Sequence, residues 1–259
     1  HKDLAITVVI PRHNAQDVYW DQCAQGIEEA GKRLTQFGIV LTYFRYDKNQ
    51  ESFEKMLSDA LQLRPNAILI APIYYEALKS LFSQAETKGI PIGLINTPIE
   101  EINYMTFVGQ DYVKSGRLAA QLMDNLMGHA PKQKILVAHL GIDTDHAIHL
   151  QDKERGFKAY FTERNPELEI ETVSFASDNL SKSLDLVFSD ITGIYVTTSK
   201  AHVLSDRLNK HPDIKVIGYD LVPKNIVQLR RGNINILLNQ NPKMQGDACI
   251  GLLSEQLLY

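Results

Sequence analysis

Residues 214–246 limit the possible folds of this chain more than any other stretch, because strand, helix and strand patterns follow one another over a short distance. They read IKVIGYDLVPKNIVQLRRGNINILLNQNPKMQG. The apolar runs over 214–218 and 234–238 have the length and composition of strands buried in a parallel sheet. Between them, Pro223 suits the first turn of a short helix and Gly232 can end it. This order of elements is typical of an α/β fold.

Polar residues follow each of these predicted strands. Asp220 comes just after the first strand, and Gln240 lies in the Asn-Gln-Asn-Pro segment that ends the second. Open α/β sheets bind ligands at the carboxyl ends of their strands, so we predict that both side chains contact a ligand. An ionised aspartate accepts hydrogen bonds, and a glutamine amide both donates and accepts them. The alternatives are structural: Asp220 would cap the helix near Pro223, and Gln240 would satisfy backbone groups at a chain crossing.

Strand and helix patterns also alternate through the rest of the chain. Strand patterns lie at 4–11, 40–46, 67–71, 90–95, 134–140, 170–175 and 193–197. Helical spacing of apolar residues occurs at 17–37, 51–63, 76–88, 112–127, 152–164, 180–190, 201–210 and 242–258. Residues 97–107 show neither pattern. The alternation predicts an α/β fold of two doubly wound, Rossmann-like lobes, each with a parallel sheet.

Composition argues against several classes of protein. The chain has 259 residues, of which 44% are hydrophobic, and this is ample for a large core. A net charge of −4 without a basic stripe makes this part of the protein a poor candidate for binding nucleic acid by itself. No apolar run approaches the ~18 residues of a membrane span, and His1 leads into a strand pattern without a signal peptide. Cys23 and Cys249 lie on apolar helix faces, which predicts buried thiols and fits a cytoplasmic protein.

Four segments carry a family resemblance. The first is the strand that ends in Gly-Tyr-Asp, together with the Leu-Arg-Arg-Gly and Asn-Gln-Asn-Pro-x-x-Gln-Gly motifs that follow it. The other three are VVIPRHNAQDVYW at 8–20, IPIGLIN at 90–96 and VGQDYVKSGRLAA at 108–120. In this order and separation they resemble the ligand-binding core of lactose-repressor/galactose-repressor (LacI/GalR-type) transcription regulators. That core is similar to periplasmic sugar-binding proteins such as the ribose binder. The resemblance covers nearly the whole chain.

The resemblance implies the periplasmic binding protein type I fold, in which several chain crossings form a hinge between two lobes. Residues 1–110 plus 241–259 would form the N-terminal lobe, and residues 111–240 the C-terminal lobe. A last strand would follow Tyr259 after a further crossing. The resemblance also implies a homodimer and a DNA-binding head upstream of His1.

Aromatic and amide side chains follow two strands of the predicted N-terminal lobe. An aromatic face stacks well on the apolar face of a pyranose, and we favour this contact for Tyr19. Trp20 fits ligand contact and the apolar stripe of the first helix equally well. Asp17 is expected to cap that helix. Asn96 ends the fourth strand, where the family often carries an acidic residue, and we predict that it binds a ligand hydroxyl instead of serving only in a turn.

Two more candidates lie in the predicted C-terminal lobe. Thr198 matches a position that is often polar in the family, although it fits a helix cap equally well. Lys153 lies three residues before Gly156-Phe157, where family members often place an arginine that forks onto sugar oxygens. A lysine offers a point charge without the fork, so the resemblance does not carry the usual sugar pose to this chain. Arg155 is near but out of register, and a solvated helix charge is the alternative for both residues.

Metal binding and catalysis find little support in the sequence. Histidines and aspartates cluster at His139, Asp143, Asp145, His146, His149 and Asp152. Their spacing matches no recognised metal site, so we predict a polar loop and no metal or cofactor. Gly-x-Ser-x-Gly, a Walker loop and a Gly-x-Gly-x-x-Gly after the first strand are all missing, which argues against an enzyme.

Together these features predict the effector-binding domain of a LacI-type regulator. A sugar-like molecule would bind in the cleft between the lobes and alter DNA binding in a cytoplasmic homodimer, through DNA-binding heads that lie outside these residues. The alternative is a periplasmic sugar-binding protein of a transport system, with the same fold and pocket. An enzyme on a doubly wound fold is a third and weaker interpretation.

Overall fold

The structure is a computed structural model that describes residues 3–13, 18–99, 101–128, 133–141, 148–175 and 190–259. The chain divides into two compact units. His1–Gln110 together with Asn241–Tyr259 form the first lobe, and Asp111–Gln240 form the second. Within the described residues, every helix is too short or too polar to cross a lipid bilayer.

Each lobe is built from strands and helices that alternate along the chain. The strands are β1 Leu4–Pro11, β2 Ile39–Tyr46, β3 Ala67–Ile70, β4 Ile92–Asn96, β5 Thr106–Gly109, β6 Lys134–Leu140, β7 Glu169–Phe175, β8 Gly193–Val196, β9 Lys215–Tyr219 and β10 Ile236–Leu238. The α-helices are α1 Val18–Leu34, α2 Gln50–Gln62, α3 Tyr75–Thr87, α4 Tyr112–Met127, α5 Ile148–Arg164, α6 Ser205–Leu208, α7 Pro223–Arg230 and α8 Pro242–Leu258.

All strand pairs in both sheets are parallel. The first sheet has the order β2-β1-β3-β4-β5 and the second β10-β9-β8-β6-β7. Helices cover the sheets, so central strands such as β3 and β8 are buried along their whole length, which explains their unbroken apolar sequences. The strand order reverses between β1 and β3 and between β6 and β8, and such switch points open a crevice at the carboxyl ends of the strands. The predicted fold class is confirmed.

Several predicted boundaries differ from the structure. The segment 97–107 was expected to be irregular, but Thr106–Gly109 forms the edge strand β5, whose only pairing is with β4 among the described residues. The predicted helix over 201–210 is a 3-10 turn, Ala201–Leu204, followed by the single turn of α6. Residues 180–189 of another predicted helix lie outside the described residues, as do Asp17, Asp143, Asp145 and His146.

Close helix crossings without intervening side chains occur in both lobes. A Cβ on Gly246 of α8 would lie 2.2 Å from the carbonyl oxygen of Cys23 on α1. In the second lobe, a Cβ on Gly116 of α4 would lie 1.9 Å from the carbonyl oxygen of Lys153 on α5. Real Cβ atoms do not approach backbone oxygens this closely, so both crossings require glycine. Cys23 and Cys249 are buried and unpaired beside the first crossing, as predicted.

We therefore expect Gly246→Ala to lower the free energy of unfolding by about 1–3 kcal/mol, because the new methyl group would push α1 and α8 apart. Gly251→Ala provides a matched control on the same helix, since a Cβ there would have no atom within 4 Å. Alanine stabilises a helix relative to glycine, so this control should be neutral or more stable by about 0.5–1 kcal/mol. Urea unfolding followed by circular dichroism measures both. Equal effects of the two substitutions would contradict the role of the crossing.

Candidate functional site

Asp220 is held at the carboxyl end of β9 by two residues at and just beyond the end of β10. Its backbone adopts a left-handed conformation, with φ of 65°, and its amide donates to the carbonyl oxygen of Leu238. Both carboxylate oxygens accept from Nε2 of Gln240, at 3.0 and 3.2 Å. Burial raises the pKa of Asp220, while the hydrogen bonds from Gln240 and the charge of Lys153 oppose that rise. The structure thus brings together the two residues that the sequence placed after neighbouring strands.

The alternative role predicted for Asp220 is wrong. The N-cap position of α7 belongs to Val222, and no side chain caps this helix by a hydrogen bond. Asp220 therefore does not serve as the helix cap, and its carboxylate is occupied by Gln240 alone among the described residues. An ionised carboxylate has about four lone-pair positions, so it keeps acceptor capacity for ligand hydroxyls.

Lys153 is buried and does not behave as a solvated helix charge. The residue is 2% exposed, so the alternative of a solvated position is wrong. Its Nζ donates to the carbonyl oxygen of Thr197 at 3.0 Å and lies 3.7 Å from the centroid of the Tyr219 ring. Arg155 points elsewhere, since its side chain is 69% exposed and pairs with Asp152. The amine thus lies on the same lobe as Asp220, close enough that the aspartate raises its pKa.

Burial lowers the pKa of Lys153 to about 8, and the charge of Asp220 only partly opposes this effect. The same environment lowers the pKa of His149 to about 4, first through burial and then through the charges of Lys153 and His139. His149 is therefore neutral at pH 7. Thr197 supplies the one hydrogen-bond acceptor that the described residues offer Lys153, and the Tyr219 ring faces the same ammonium, so it keeps some donor capacity that these partners do not use.

The acceptor of Lys153 is itself fixed by a buried network. His139 lies on β6 and its Nδ1 is 2.7 Å from the hydroxyl of Thr197, while its Nε2 is 2.9 Å from the carboxylate of Glu154. Glu154 also accepts from Lys158 and Thr172. The hydrogen bond from His139, followed by those from Lys158 and Thr172, lowers the pKa of Glu154 to about 2, so its charge is retained at neutral pH. This network holds the segment after β8 against β6 and α5.

Thr198 lies at the same end of the sheet, next to this network. Its hydroxyl donates to the carbonyl oxygen of Leu140 at 3.0 Å, and the side chain is buried. Lys200, and not Thr198, is the N-cap of the following 3-10 turn, which has no side-chain cap. The hydroxyl thus joins the ends of β8 and β6. Its contact with a ligand stays a prediction.

The first lobe has its own polar cluster at the carboxyl ends of its strands. The amide Nδ2 of Asn96 donates to the hydroxyl of Tyr19 at 2.7 Å, and that hydroxyl donates to Oε1 of Gln245 at 2.9 Å. Asn96 ends β4 in a left-handed conformation, with φ of 76°, and accepts from the hydroxyl of Thr97. Tyr19 and Asn96, which the sequence predicted separately, are direct partners. Their contact with a ligand also stays a prediction.

Trp20 is placed in the hydrophobic core of the first lobe. It is 7% exposed and packs among buried residues of α1, β1 and α8. Its ring meets that of Tyr19 edge to face, with centroids 5.1 Å apart. The core interpretation therefore describes its surroundings, and its 7% exposure leaves little surface for contact with a ligand.

Sequence reasoning missed several residues that shape these clusters. Tyr219 provides the ring beneath Lys153, and Gln245 is the acceptor for Tyr19. Both lie inside the motifs Gly-Tyr-Asp and Asn-Pro-x-x-Gln-Gly, so their position was a usable signal. His139 was considered only with the loop that follows it, although it belongs to β6 and is buried against Glu154. Among the described residues, no three metal-ligating side chains come together.

Comparison with known proteins agrees with this architecture. A family model described as a periplasmic binding protein domain matches residues 6–258. The ribose import binding protein of Bacillus subtilis is 22% identical over 231 residues, which cover 86% of this chain and 72% of that protein.

Solved structures give the same result in three dimensions. A structure from Bacteroides fragilis, described as that of a LacI transcriptional regulator, covers 99% of this chain and 91% of its own, with a TM-score of 0.86 and 25% identity. A glucose-galactose binding protein from Geobacillus stearothermophilus has a TM-score of 0.80 at 20% identity, with coverage of 99% and 92%. A carbohydrate transporter solute binding protein from Agrobacterium radiobacter, in complex with D-arabinose, has a TM-score of 0.78 at 20% identity, with coverage of 98% and 88%. The last two similarities show the fold alone.

The burial of Lys153 generates a prediction about stability and pH. The pKa of its amine is about 8 in the folded protein against 10.5 for the ordinary group, so the unfolded chain binds more protons between these values. The cost of burying the charge is complete below about pH 8 and is lost above about pH 10.5. Wild-type stability should therefore rise across this window relative to Lys153→Met, by on the order of 3 kcal/mol.

Chemical unfolding at several pH values between 7 and 10.5 measures this difference. Lys210→Met, at an exposed position of the same lobe, is the control and should follow the wild-type profile. Parallel profiles for the wild type and Lys153→Met would contradict the effect of burial on this amine.

Proposed function

The chain is a member of the periplasmic binding protein family, and from this premise we propose that it is the effector-binding domain of a LacI-type transcription regulator. The supporting comparison is the Bacteroides fragilis structure described as a LacI regulator, which matches both lobes and shares 25% of the residues. In this proposal the protein is a cytoplasmic homodimer, and a DNA-binding domain on the amino-terminal side of His1 contacts the operator.

The observation that carries a ligand-binding role is the polar end of the second sheet. Asp220 offers a half-buried carboxylate that accepts hydrogen bonds, and Lys153 on the same lobe offers an ammonium donor. A sugar hydroxyl can accept from the ammonium and donate to the carboxylate, so a neutral polyhydroxylated ligand satisfies both groups without adding charge. The names of relatives that bind ribose, glucose, galactose and arabinose support the same class of ligand.

In the proposed complex, one sugar-like molecule engages both polar clusters. The second lobe would contribute Asp220, Gln240, Lys153 and Thr198, and the first lobe Tyr19, Asn96 and Trp20. A ligand that binds one arrangement of the lobes better than another shifts the population toward it, and this shift would change the DNA affinity of the dimer. The protein then acts by binding and not by catalysis, without a metal or cofactor.

A transport role is the second candidate, and the likeness to the ribose import binding protein favours it. The fold and pocket would be the same, but the protein would work as a periplasmic monomer. The native sequence that precedes His1 separates the two candidates. A helix-turn-helix segment of basic character supports the regulator, whereas a charged segment followed by an apolar one and a cleavage site supports the transporter component.

Sugar binding itself can be tested with D-ribose, D-arabinose, D-glucose and D-galactose. A sugar that binds only the folded state raises the melting temperature, and calorimetry then gives its affinity. We expect Asp220→Asn to fold and to weaken binding of the best sugar by roughly ten- to a hundred-fold, because a hydrogen bond to a charged group contributes about 1.5–3 kcal/mol. Asp206→Asn, at an exposed position of the same lobe, should leave affinity unchanged. Unaltered affinity in folded Asp220→Asn would remove this residue from the pocket.

The regulator proposal also predicts the assembly of the native protein. Analytical ultracentrifugation at micromolar concentration should show a dimer, and the sugar that raises the melting temperature should change operator binding in a mobility-shift assay. Purely monomeric protein, together with DNA binding that does not respond to the sugar, would favour the transport role instead.

A further inference from the structure

Asn225 lies in the first turn of α7 and is fully buried, with 0% exposure. Its side-chain Nδ2 faces three backbone carbonyl oxygens, those of Tyr219 at 2.8 Å, Ser199 at 3.0 Å and Asp220 at 3.2 Å. Asparagine is an unfavourable residue inside a helix, because its amide competes for backbone groups. Here the amide satisfies backbone groups of two other segments.

The opposite end of the same amide is also engaged. Oδ1 of Asn225 accepts from the backbone N–H of His202 at 2.9 Å and lies 3.0 Å from Nδ1 of its ring. Because Nδ2 must donate to the carbonyl oxygens, Oδ1 can only accept, and the proton of the His202 ring therefore lies on Nδ1. The orientation of the amide is fixed from both sides.

These bonds join the two loops that carry the ligand candidates of the second lobe. Ser199 and His202 belong to the segment that contains Thr198 after β8, while Asp220 follows β9. Asp220 has a left-handed backbone conformation, which is costly for a residue other than glycine unless its surroundings hold it there. The contacts of Asn225 with the carbonyl oxygens before and after the Asp220 amide supply such a restraint.

We propose that Asn225 is a positioning residue for ligand binding, which aims the Asp220 carboxylate by tying the loop after β9 to the loop after β8. The inference rests on the proposed sugar-binding function and deepens it. The five described partner atoms of the Asn225 side chain belong to the segment after β8 or to the end of β9 and the residue after it, so its effect on a ligand passes through Asp220 and its neighbours.

A role limited to stability makes a different prediction. A residue that only stabilises the lobe would lower the melting temperature without a specific effect on Asp220. A positioning residue should show coupling with Asp220, because the orientation of this side chain affects ligand affinity less once its charge has been removed. The double-mutant cycle of ligand affinity measures this coupling.

We expect Asn225→Ser to weaken binding of the best sugar of the four-sugar panel by at least about ten-fold in the wild-type background. In the Asp220→Asn background the same substitution should weaken it by less than about threefold. Asn233→Ser is the matched control, since Nδ2 of Asn233 donates to Asn209 and Gln228 and to neither ligand loop. It should weaken binding by less than about threefold. Equal losses for Asn225→Ser in both backgrounds would overturn the proposal.

A second measurement needs no ligand and separates this inference from the proposed function. Burial raises the pKa of Asp220, so release of its loop toward water should move that pKa back toward the ordinary value. Carbon-detected NMR titration of the Asp220 carboxyl group should show this fall in Asn225→Ser and not in Asn233→Ser. An unmoved titration would overturn the inference even if sugars bind. If the titration moves but none of the four sugars binds, the positioning of Asp220 stands and the proposed ligand class fails.

Should Asn225→Ser fail to fold, His202→Leu tests the same arrangement, because the half-buried His202 is the partner of the Asn225 amide oxygen. It removes the ring Nδ1 that fixes the amide and leaves the backbone N–H in place. We expect a weaker effect of the same pattern, namely a loss of affinity of about threefold that disappears in the Asp220→Asn background. A loss that persists in that background would contradict the proposal.

Discussion

The carboxyl end of the second sheet is organised around one buried ammonium group, which the fold accommodates at a cost in stability. The ammonium of Lys153 is buried, and its contacts there are a hydrogen bond to the backbone carbonyl oxygen of Thr197 and the face of the Tyr219 ring. Those partners come from the ends of β8 and β9, so the amine can be accommodated only if α5 lies close to both strands. At the same residue α5 crosses α4 closely, and Gly116 of α4 permits that crossing, because any side chain there would strike the backbone of Lys153. A helix crossing and a buried charge are thus parts of one arrangement.

Much of the fold could be predicted from the sequence, because parallel strands buried on both faces give apolar runs that prolines and glycines delimit. The same reasoning missed β5, whose four residues are mostly half-buried and paired on one side only. The same reasoning did not exclude a solvent-exposed position for Lys153. The residue lies in a run of charged residues, and the carbonyl group that holds it is 44 positions away in the chain. Local sequence patterns do not indicate contacts between residues so far apart in the chain.

The candidate sites also contain some residue positions that the sequence predicts and some contacts that it does not. Asp220 and Gln240 were predictable because the topology places polar residues after neighbouring strands at one edge of a sheet. The partnership of Tyr19 with Gln245 spans 226 positions, and no periodicity indicates it. Asn225 lies inside the predicted short helix, but its role could not be predicted, since a buried amide that binds the backbone of other segments leaves no pattern in the sequence.

The two lobes offer a ligand different kinds of chemistry. The cluster of Tyr19, Asn96 and Gln245 is neutral, and its groups already bond one another, so a ligand can exchange hydrogen bonds with it at little cost. Lys153 is a buried charge and Asp220 a half-buried one, and a ligand that shields either group from water without a hydrogen bond incurs a cost of desolvation. Sites that hydrogen-bond a hydroxyl reject analogues without it far more strongly than apolar pockets reject a missing methylene group. The cluster of the second lobe is therefore the more selective of the two toward the hydrogen-bonding groups of a ligand.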